Sequence, residues 1–204
     1  MRTMEEKIFF IFDLETNGLP YSSGMNYKFT NNWPGIVQIA WGVYNSNGDN
    51  LVFRNYIIKP NKFKISREAS NIHGISHNFA SKNGIKFNDI LSELEEDLLK
   101  SDYIVAHNLN FDRSNLLAEL TRNNRNNLIH LFESKKHICT LKESINVCCI
   151  SRSPNGSYKW PKLSELYEKL FNRKLRNAHN ARYDVENLSL CFFKLIENGE
   201  IRLS

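Results

Sequence analysis

Two acidic side chains follow an apolar run near the start of the chain, in IFFIFDLETNG at residues 8–18. Because successive side chains of a strand point to opposite faces, Asp13 and Glu15 are predicted to share one face. Neighbouring carboxylates repel each other and are costly to bury, and a divalent cation between them removes both penalties. Ligand sets made only of oxygen suit Mg²⁺ or Mn²⁺. Taken alone, the pair is better interpreted as two solvated acids at the end of a strand.

A second polar cluster, HNLNFD at residues 107–112, follows the short apolar segment YIVA. Asp112 is predicted to open a helix over 112–123, whose inward residues are leucines 116, 117 and 120. A carboxylate there can join a metal site, or it can cap the helix, which is a common role for Asp. His107 and Asn108 can likewise do no more than stabilise a tight strand-to-helix turn.

The third cluster is HNARYD at residues 179–184. Asp184 lies on one helical stripe with Leu188, Cys191 and Leu195, and a carboxylate on such a core-facing stripe needs a partner. No Lys or Arg occupies the neighbouring turns of that stripe, so a metal ion is an attractive partner. His179 lies five residues earlier, about 140° around a continuous helix. It therefore faces elsewhere or lies on the preceding loop, and by itself an ordinary surface histidine is the simpler interpretation.

The elements that must position these residues can be predicted from hydrophobic patterning. A fully apolar strand is predicted over 7–13, and strands over 36–44 and 51–58 are separated by the turn sequence NSNGDN. The polar segment at 20–34 is predicted to be an extended loop that leaves the sheet beside Glu15 and either borders the site or has no function. Short strands are predicted at YIVAH and KHICT.

Helices are predicted from apolar residues at helical spacing. FNDILSELEEDLLK is amphipathic, with Ile90, Leu91, Leu94, Leu98 and Leu99 inward. Further helices are expected in SREASNIHG, ending at Gly74, after KHICT, in KLSELYEKLF and over 181–196, and SRSPNGSYKWP is expected to be a loop. The order of elements predicts an α/β fold with one mixed sheet and helices on its faces, in a single domain over residues 1–204 with its core at about 7–196.

The composition is that of an ordinary globular protein, with 41% hydrophobic and 24% charged residues. The 27 basic and 22 acidic residues give a net charge of +5, a weak indication of a polyanionic partner. The N-terminal sequence does not fit a signal peptide, and no segment is apolar enough to cross a membrane. We therefore expect an intracellular protein of the cytoplasm, or alternatively the nucleus. The irregular spacing of the four cysteines favours free thiols over disulfides or a zinc site.

At these residues the sequence resembles the DnaQ-like 3′–5′ exonucleases, a family that includes proofreading subunits of bacterial replicative polymerases. The motifs stand here as FDLETNGL (12–19), HNLNFD (107–112) and HNARYD (179–184). The histidine five residues before the last Asp is typical of the DEDDh branch. The match runs from roughly residue 7 to 196, and the ordered set of four acids and one histidine is far more specific than any single motif.

The resemblance implies a ribonuclease H-like fold with a mixed five-stranded sheet flanked by helices. It also implies two Mg²⁺ or Mn²⁺ ions held by Asp13, Glu15, Asp112 and Asp184, with His179 as general base. The residues expected to contact the terminal nucleotide or the scissile strand are Thr16, Asn17, Leu19, His107, Asn108 and Phe111. A structural role in the turn before Gly18 accounts for Thr16 and Asn17 as well as substrate contact does. A place in the hydrophobic core accounts for Phe111 at least as well.

Basic residues interleaved with aromatic ones between 159 and 182 are expected to follow a nucleic-acid backbone, although a solvated helix face explains most of these charges equally well. The expected function is hydrolysis of terminal phosphodiesters of single-stranded or frayed DNA, as in proofreading or repair with a polymerase or repair partner. Two alternatives remain open at this point. One is trimming of RNA, and the other is a non-catalytic module that binds 3′ ends or serves as a scaffold.

Overall fold

The computed structural model describes residues 6–151, 156–175 and 179–203. Its sheet has five strands in the order β3-β2-β1-β4-β5. Strands β1, β2 and β3 pair antiparallel, whereas β4 and β5 run parallel to β1. The bounds of the strands are β1 Phe9–Thr16, β2 Ile36–Tyr44, β3 Asn50–Ile57, β4 Tyr103–Ala106 and β5 Lys136–Cys139. The mixed five-stranded sheet predicted from the sequence is confirmed.

Helices cover both faces of this sheet. The bounds of the α-helices in the described residues are α1 Arg67–His73, α2 His77–Asn83, α3 Leu91–Lys100, α4 Leu109–Arg122, α5 Asn126–Glu133, α6 Thr140–Glu143, α7 Ile145–Cys148, α8 Leu163–Phe171 and α9 Ala181–Glu197. Single 3₁₀ turns lie at Thr30–Asn32 and Phe87–Ile90. No described helix is both long enough and apolar enough to span a membrane.

The centre of the fold is β1, whose residues Phe9 to Phe12 are fully buried. Alternation of side chains along the strand places Phe10 and Phe12 in a cluster with leucines of α3 and α4. Phe9 and Ile11 lie on the opposite face, in a cluster with α9. Burial on both faces explains why the strand is continuously apolar until it reaches Asp13.

Several boundaries differ from the sequence-based expectations. Strand β1 extends to Thr16, so Glu15 lies within it, whereas the predicted strand ended at Asp13. Helix α4 begins at Leu109, and Asn108 holds its N-terminal cap position in a left-handed conformation with φ 66°. The predicted start at Asp112 was therefore wrong, and so was the interpretation of Asp112 as the cap.

Other differences concern single elements. Helices α2 and α5 were not predicted, and Leu99 is 63% exposed rather than inward because α3 turns it away from the sheet. The segment 20–34 is not wholly extended, since it contains the turn at Thr30–Asn32. Arg122 of α4 fastens this turn by donating to the carbonyl oxygens of Thr30 and Trp33.

Candidate metal centre

Three carboxylates meet where the carboxyl end of β1 approaches the start of α9. Asp13 and Glu15 lie two residues apart on β1, and Asp184 lies in the first turn of α9. One carboxylate oxygen from each lies within 4.8 Å of the other two. Helix α9 holds Asp184 there because Val185 and Leu188 pack in one cluster with Phe9 and Ile11 of β1. Three oxygen donors at this separation can bind one cation.

Asp112 lies beside this group and is almost wholly buried, at 3% exposure. It is the fourth residue of α4, and the backbone N–H of Leu14 is near enough to its carboxyl to oppose the rise of the pKa. Leu14 separates Asp13 from Glu15, so Asp112 lies against the part of β1 that carries the other two acids. The structure thus brings together all four acids predicted from the sequence.

Burial raises the pKa of each of these carboxyls, and repulsion from neighbouring acids raises it further for Asp13, Glu15 and Asp112. For Asp13 and Asp112 the pKa lies well above its usual range, first because of burial and then because of neighbouring acids. Burial, followed by the charge of Asp184, raises the pKa of Glu15 to about 8. Burial also raises the pKa of Asp184 to about 6, against the opposing effect of hydrogen bonds from backbone N–H groups and the charge of His179.

No described Lys or Arg forms an ion pair with any of the four acids. The cluster is therefore short of positive charge at neutral pH, and the missing charge is of the kind that divalent cations supply. Because every donor is a carboxylate oxygen, the residues present suit a hard cation such as Mg²⁺ or Mn²⁺ better than a thiolate- or imidazole-preferring metal.

His179 precedes α9 rather than belonging to it. The residue is exposed and has a left-handed backbone conformation, with φ 66°. Its charge acts on Asp184, and the N–H of the next residue, Asn180, donates to Oδ2 of Asp184 at 3.0 Å. Of the two positions left open by the sequence, the structure places His179 on the loop before the helix, beside the acid cluster.

Gln38 is part of this arrangement and was not selected from the sequence. It lies opposite Glu15 in the β1–β2 pairing and is 2% exposed. Its Oε1 accepts from the N–H of Ala181 and its Nε2 donates to Oδ1 of Asn180, each at 3.3 Å. The signal that could have identified it is a polar residue in the otherwise apolar strand IVQIA, because a buried amide requires partners.

Thr16 and Asn17 are held by hydrogen bonds around the turn that follows β1. The hydroxyl of Thr16 donates to the carbonyl of Gly18 at 2.7 Å. The side chain of Asn17 accepts from the N–H of Gly35 at 2.6 Å and donates to the carbonyl of Lys64 at 3.1 Å. Leu19, in contrast, is 83% exposed at the end of the turn. Substrate contact by these three residues stays a prediction.

His107 is bonded through both ring nitrogens. Nε2 donates to the carbonyl of Pro161 at 3.0 Å, and Nδ1 lies 3.0 Å from the hydroxyl of Thr140. Burial lowers the pKa of His107, so the ring is neutral and Nδ1 accepts from Thr140. The ring thus fastens the segment around Pro161 to the end of β4. Asn108 is exposed and Phe111 is partly buried, and their contact with substrate also stays a prediction.

Three of the described basic residues in the segment 159–182 make local contacts. Lys159 pairs with Glu165, Arg182 pairs with Glu186, and the guanidinium of Arg173 lies over the ring of Tyr167. Arg176 lies outside the described residues, as do residues 152–155 of the loop before this segment. These three contacts fit the interpretation as a solvated helix face, and binding of a nucleic-acid backbone by this segment stays a prediction.

Comparison with known proteins gives one family match. The family model named RNase_T and described as "Exonuclease" matches residues 10–192. No curated protein sequence matches the chain.

Solved structures share the fold at low sequence identity. Exonuclease I of E. coli in complex with a dA16 oligonucleotide has a TM-score of 0.67 and 16% identity. That match covers 94% of this chain and 41% of the other, so this chain spans less than half the length of exonuclease I. Exonuclease X in complex with 5′ overhanging duplex DNA has a TM-score of 0.62 and 20% identity, covering 95% of this chain and 94% of the other.

Proposed function

The chain belongs to the exonuclease family whose model spans residues 10–192, and we propose that it is a metal-dependent 3′–5′ exonuclease. It would hydrolyse the terminal phosphodiester of single-stranded or frayed DNA and release nucleoside 5′-monophosphates. The observation that supports this best is the convergence of Asp13, Glu15 and Asp184, with Asp112 behind them and no basic side chain of the described residues paired with them.

Asp13, Glu15, Asp112 and Asp184 would hold two Mg²⁺ or Mn²⁺ ions. When bound, such ions activate water as a nucleophile and stabilise the charge that develops on the leaving oxygen. The chain itself contributes metal ligands whose positions are fixed. The N–H of Asn180 donates to Asp184, and Asp112 is buried against β1, so these two carboxylates are held in place before cations bind.

His179 is the proposed general base. It would take the proton of the attacking water, and Asp184, five residues later in the chain, would lie close enough to partner the imidazolium that forms. An imidazole suits this task because its unperturbed pKa lies near neutral pH. The exposed position of His179 on a loop leaves its ring free to reach a phosphate that enters from solvent.

Leu19 is the residue best placed to contact the terminal base, because it is 83% exposed on the turn that leaves β1 beyond Glu15. Asn108 and Phe111, at the start of α4, would contact the strand on the other side of the acid cluster. Thr16 and Asn17 would contribute to substrate binding through their positions in the turn. His107 would contribute by holding the segment around Pro161 in place.

DNA is proposed as the substrate in preference to RNA. The solved structures of similar fold include exonuclease I bound to dA16 and exonuclease X bound to 5′ overhanging duplex DNA, and both ligands are DNA. Proofreading or repair, with a polymerase or repair partner, is the setting in which this activity would be used.

The test is digestion of matched DNA and RNA oligonucleotides, each labelled at the 5′ or the 3′ end, with Mg²⁺, with Mn²⁺ and with EDTA. We expect a 5′-labelled DNA ladder that shortens by single nucleotides, immediate release of a labelled mononucleotide from the 3′ end, and no cleavage in EDTA. Asp184→Asn is the inactive control. Faster digestion of the RNA oligonucleotides would identify RNA as the preferred substrate. Cleavage by Asp184→Asn at the wild-type rate would contradict the proposed site.

A further inference from the structure

A groove of about 520 Å³ lies next to the acid cluster. One wall is the segment 20–34, through Ser23, Gly24 and Trp33. The floor is the first turn of α4, including Asn108 and Phe111. The other wall carries Lys142 and Trp160. The groove and the candidate metal centre share the first turn of α4, since Phe111 lines the groove and the next residue, Asp112, belongs to the acid cluster.

Trp160 presents a large aromatic face on the rim of this groove. Its side chain is 64% exposed, and no aromatic partner stacks on it within the described residues. The backbone beside it is held in place, since the carbonyl of the next residue, Pro161, accepts a hydrogen bond from the partly buried ring of His107. An exposed indole held by buried neighbours is an unusual surface feature and provides a ready platform for stacking.

Lys142 supplies charge on the same wall. It is exposed and forms no ion pair in the described part of the chain, whereas Arg113, also on the groove, is paired with Glu133. An aromatic platform beside a free cation is the combination that binds single-stranded nucleic acid, with bases on the ring and phosphates near the charge. An apolar protein segment would leave the ammonium group of Lys142 without a partner, so charge complementarity favours a polyanionic ligand.

We propose that this groove binds the nucleotides immediately 5′ of the scissile phosphate of a DNA strand. The indole of Trp160 stacks on one base, and Lys142 lies near a phosphate. The proposal rests on the proposed exonuclease function and adds to it a binding subsite whose stacking and charged residues, Trp160 and Lys142, lie outside the three acidic motifs.

The main competing path lies on the other side of the 20–34 segment. There Tyr21 is 93% exposed and lines a neighbouring cavity together with Leu19. We favour the Trp160 side because a hydrogen bond to His107 holds the adjacent Pro161 and because Lys142 forms no ion pair in the described residues. In the other cavity, Arg122 is already bound to Glu119, Thr30 and Trp33.

The first experiment compares substrates of increasing length. Trp160→Ala is assayed on the p-nitrophenyl ester of thymidine 5′-monophosphate, which occupies only the cleavage site, and on DNA strands from dinucleotide to decanucleotide. We expect an unchanged KM for the ester and a KM about 5- to 150-fold higher for the longer strands, the loss of one stacked base. Trp160→Phe should restore most of the affinity.

Matched controls separate the groove from general surface effects. Phe79→Ala removes another half-exposed aromatic ring, on α2 and away from the groove, and should leave every KM unchanged. Tyr21→Ala tests the competing path. The proposal is overturned if Trp160→Ala leaves the KM for long strands unchanged. It is also overturned if Tyr21→Ala raises that KM and Trp160→Ala does not.

Binding measured without turnover distinguishes failure of this inference from failure of the proposed function. In the Asp184→Asn background, Trp160→Ala should weaken binding of a fluorescent decanucleotide even if the protein hydrolyses no substrate offered. Lys142→Ala should reduce the slope of log affinity against log salt by about 0.7, and Lys82→Ala on α2 should not. Equal affinity of the parent and the Trp160→Ala variant rejects the groove whatever the activity.

Discussion

The side-chain amide of Gln38 on β2 lies 3.3 Å from Oδ1 of Asn180, the residue that caps α9. The same side chain accepts the N–H of Ala181, so both residues that start the helix are fixed to the centre of the sheet. The N–H of Asn180 in turn donates to Asp184. Gln38 therefore positions an acid of the candidate metal centre without contacting it.

Replacing Gln38 with Ala should leave the N–H of Ala181 unpaired and destabilise the fold by about 1–3 kcal/mol. It should also raise the Mg²⁺ concentration needed for half-maximal activity, because Asp184 loses its fixed position. The measurement is a Mg²⁺ titration of activity well below the melting temperature. Asn55→Ala removes only the β3 partner of the same amide and is the matched control. An unchanged Mg²⁺ requirement in Gln38→Ala would leave the residue a purely structural role.

Asp184→Asn should abolish hydrolysis without lowering the melting temperature of the metal-free protein. The amide oxygen of Asn can still accept the N–H of Asn180, and removal of one negative charge relieves repulsion in the cluster. Thermal melting in EDTA and in Mg²⁺ checks this, with stabilisation by Mg²⁺ expected for wild type and largely lost in the variant. The exposed Asp89→Asn is the control for loss of a carboxylate elsewhere. A marked fall in metal-free stability would instead indicate a structural role for Asp184.

His179→Ala should lower kcat by roughly 10²- to 10⁴-fold, as expected for loss of a general base. Binding of a DNA strand should change little, since the four acids and the groove remain. His130→Ala, which removes an exposed histidine on α5, should retain the wild-type rate. Single-turnover rates measured over a range of pH are the test, and a wild-type kcat in His179→Ala would exclude the proposed base.

The metal-free protein should lose stability as pH rises through the titration of Glu15. The folded state raises the pKa of this carboxyl from 4.5 to about 8, so folding favours its protonated form. This contribution is therefore complete below about pH 4.5 and is lost as pH approaches and passes about 8. Thermal melts in EDTA should show a larger fall for wild type than for Glu15→Gln over this interval.

Saturating Mg²⁺ should remove most of that difference, because a bound cation favours the ionised carboxylate. Melts of the two proteins in Mg²⁺ at the same pH values provide the comparison. Parallel pH curves for wild type and Glu15→Gln in EDTA would show that Glu15 ionises freely and would argue against a crowded acidic site.

Much of the fold could be predicted because local patterns and tertiary structure agree. The apolar run before Asp13 predicted a central strand, and α1 ends at Gly74 in the left-handed conformation, as expected from a terminal glycine. Helices α2 and α5 were missed, being only 7 and 8 residues long. Two turns of helix give too few repeats for a reliable periodic signal, and these helices are stabilised by packing against the rest of the molecule.

The sequence by itself determined which side chains bear the chemistry. Alternation along a strand put Asp13 and Glu15 on one face, and helical spacing put Asp184 among inward residues. Only the tertiary structure decided that Asp112 lies inside α4 rather than at its start, that Gln38 holds the beginning of α9, and that Trp160 lines a groove with the first turn of α4. The physical reason is that local periodicity fixes the direction of a side chain within its own element, whereas distances between elements depend on how the sheet and helices pack.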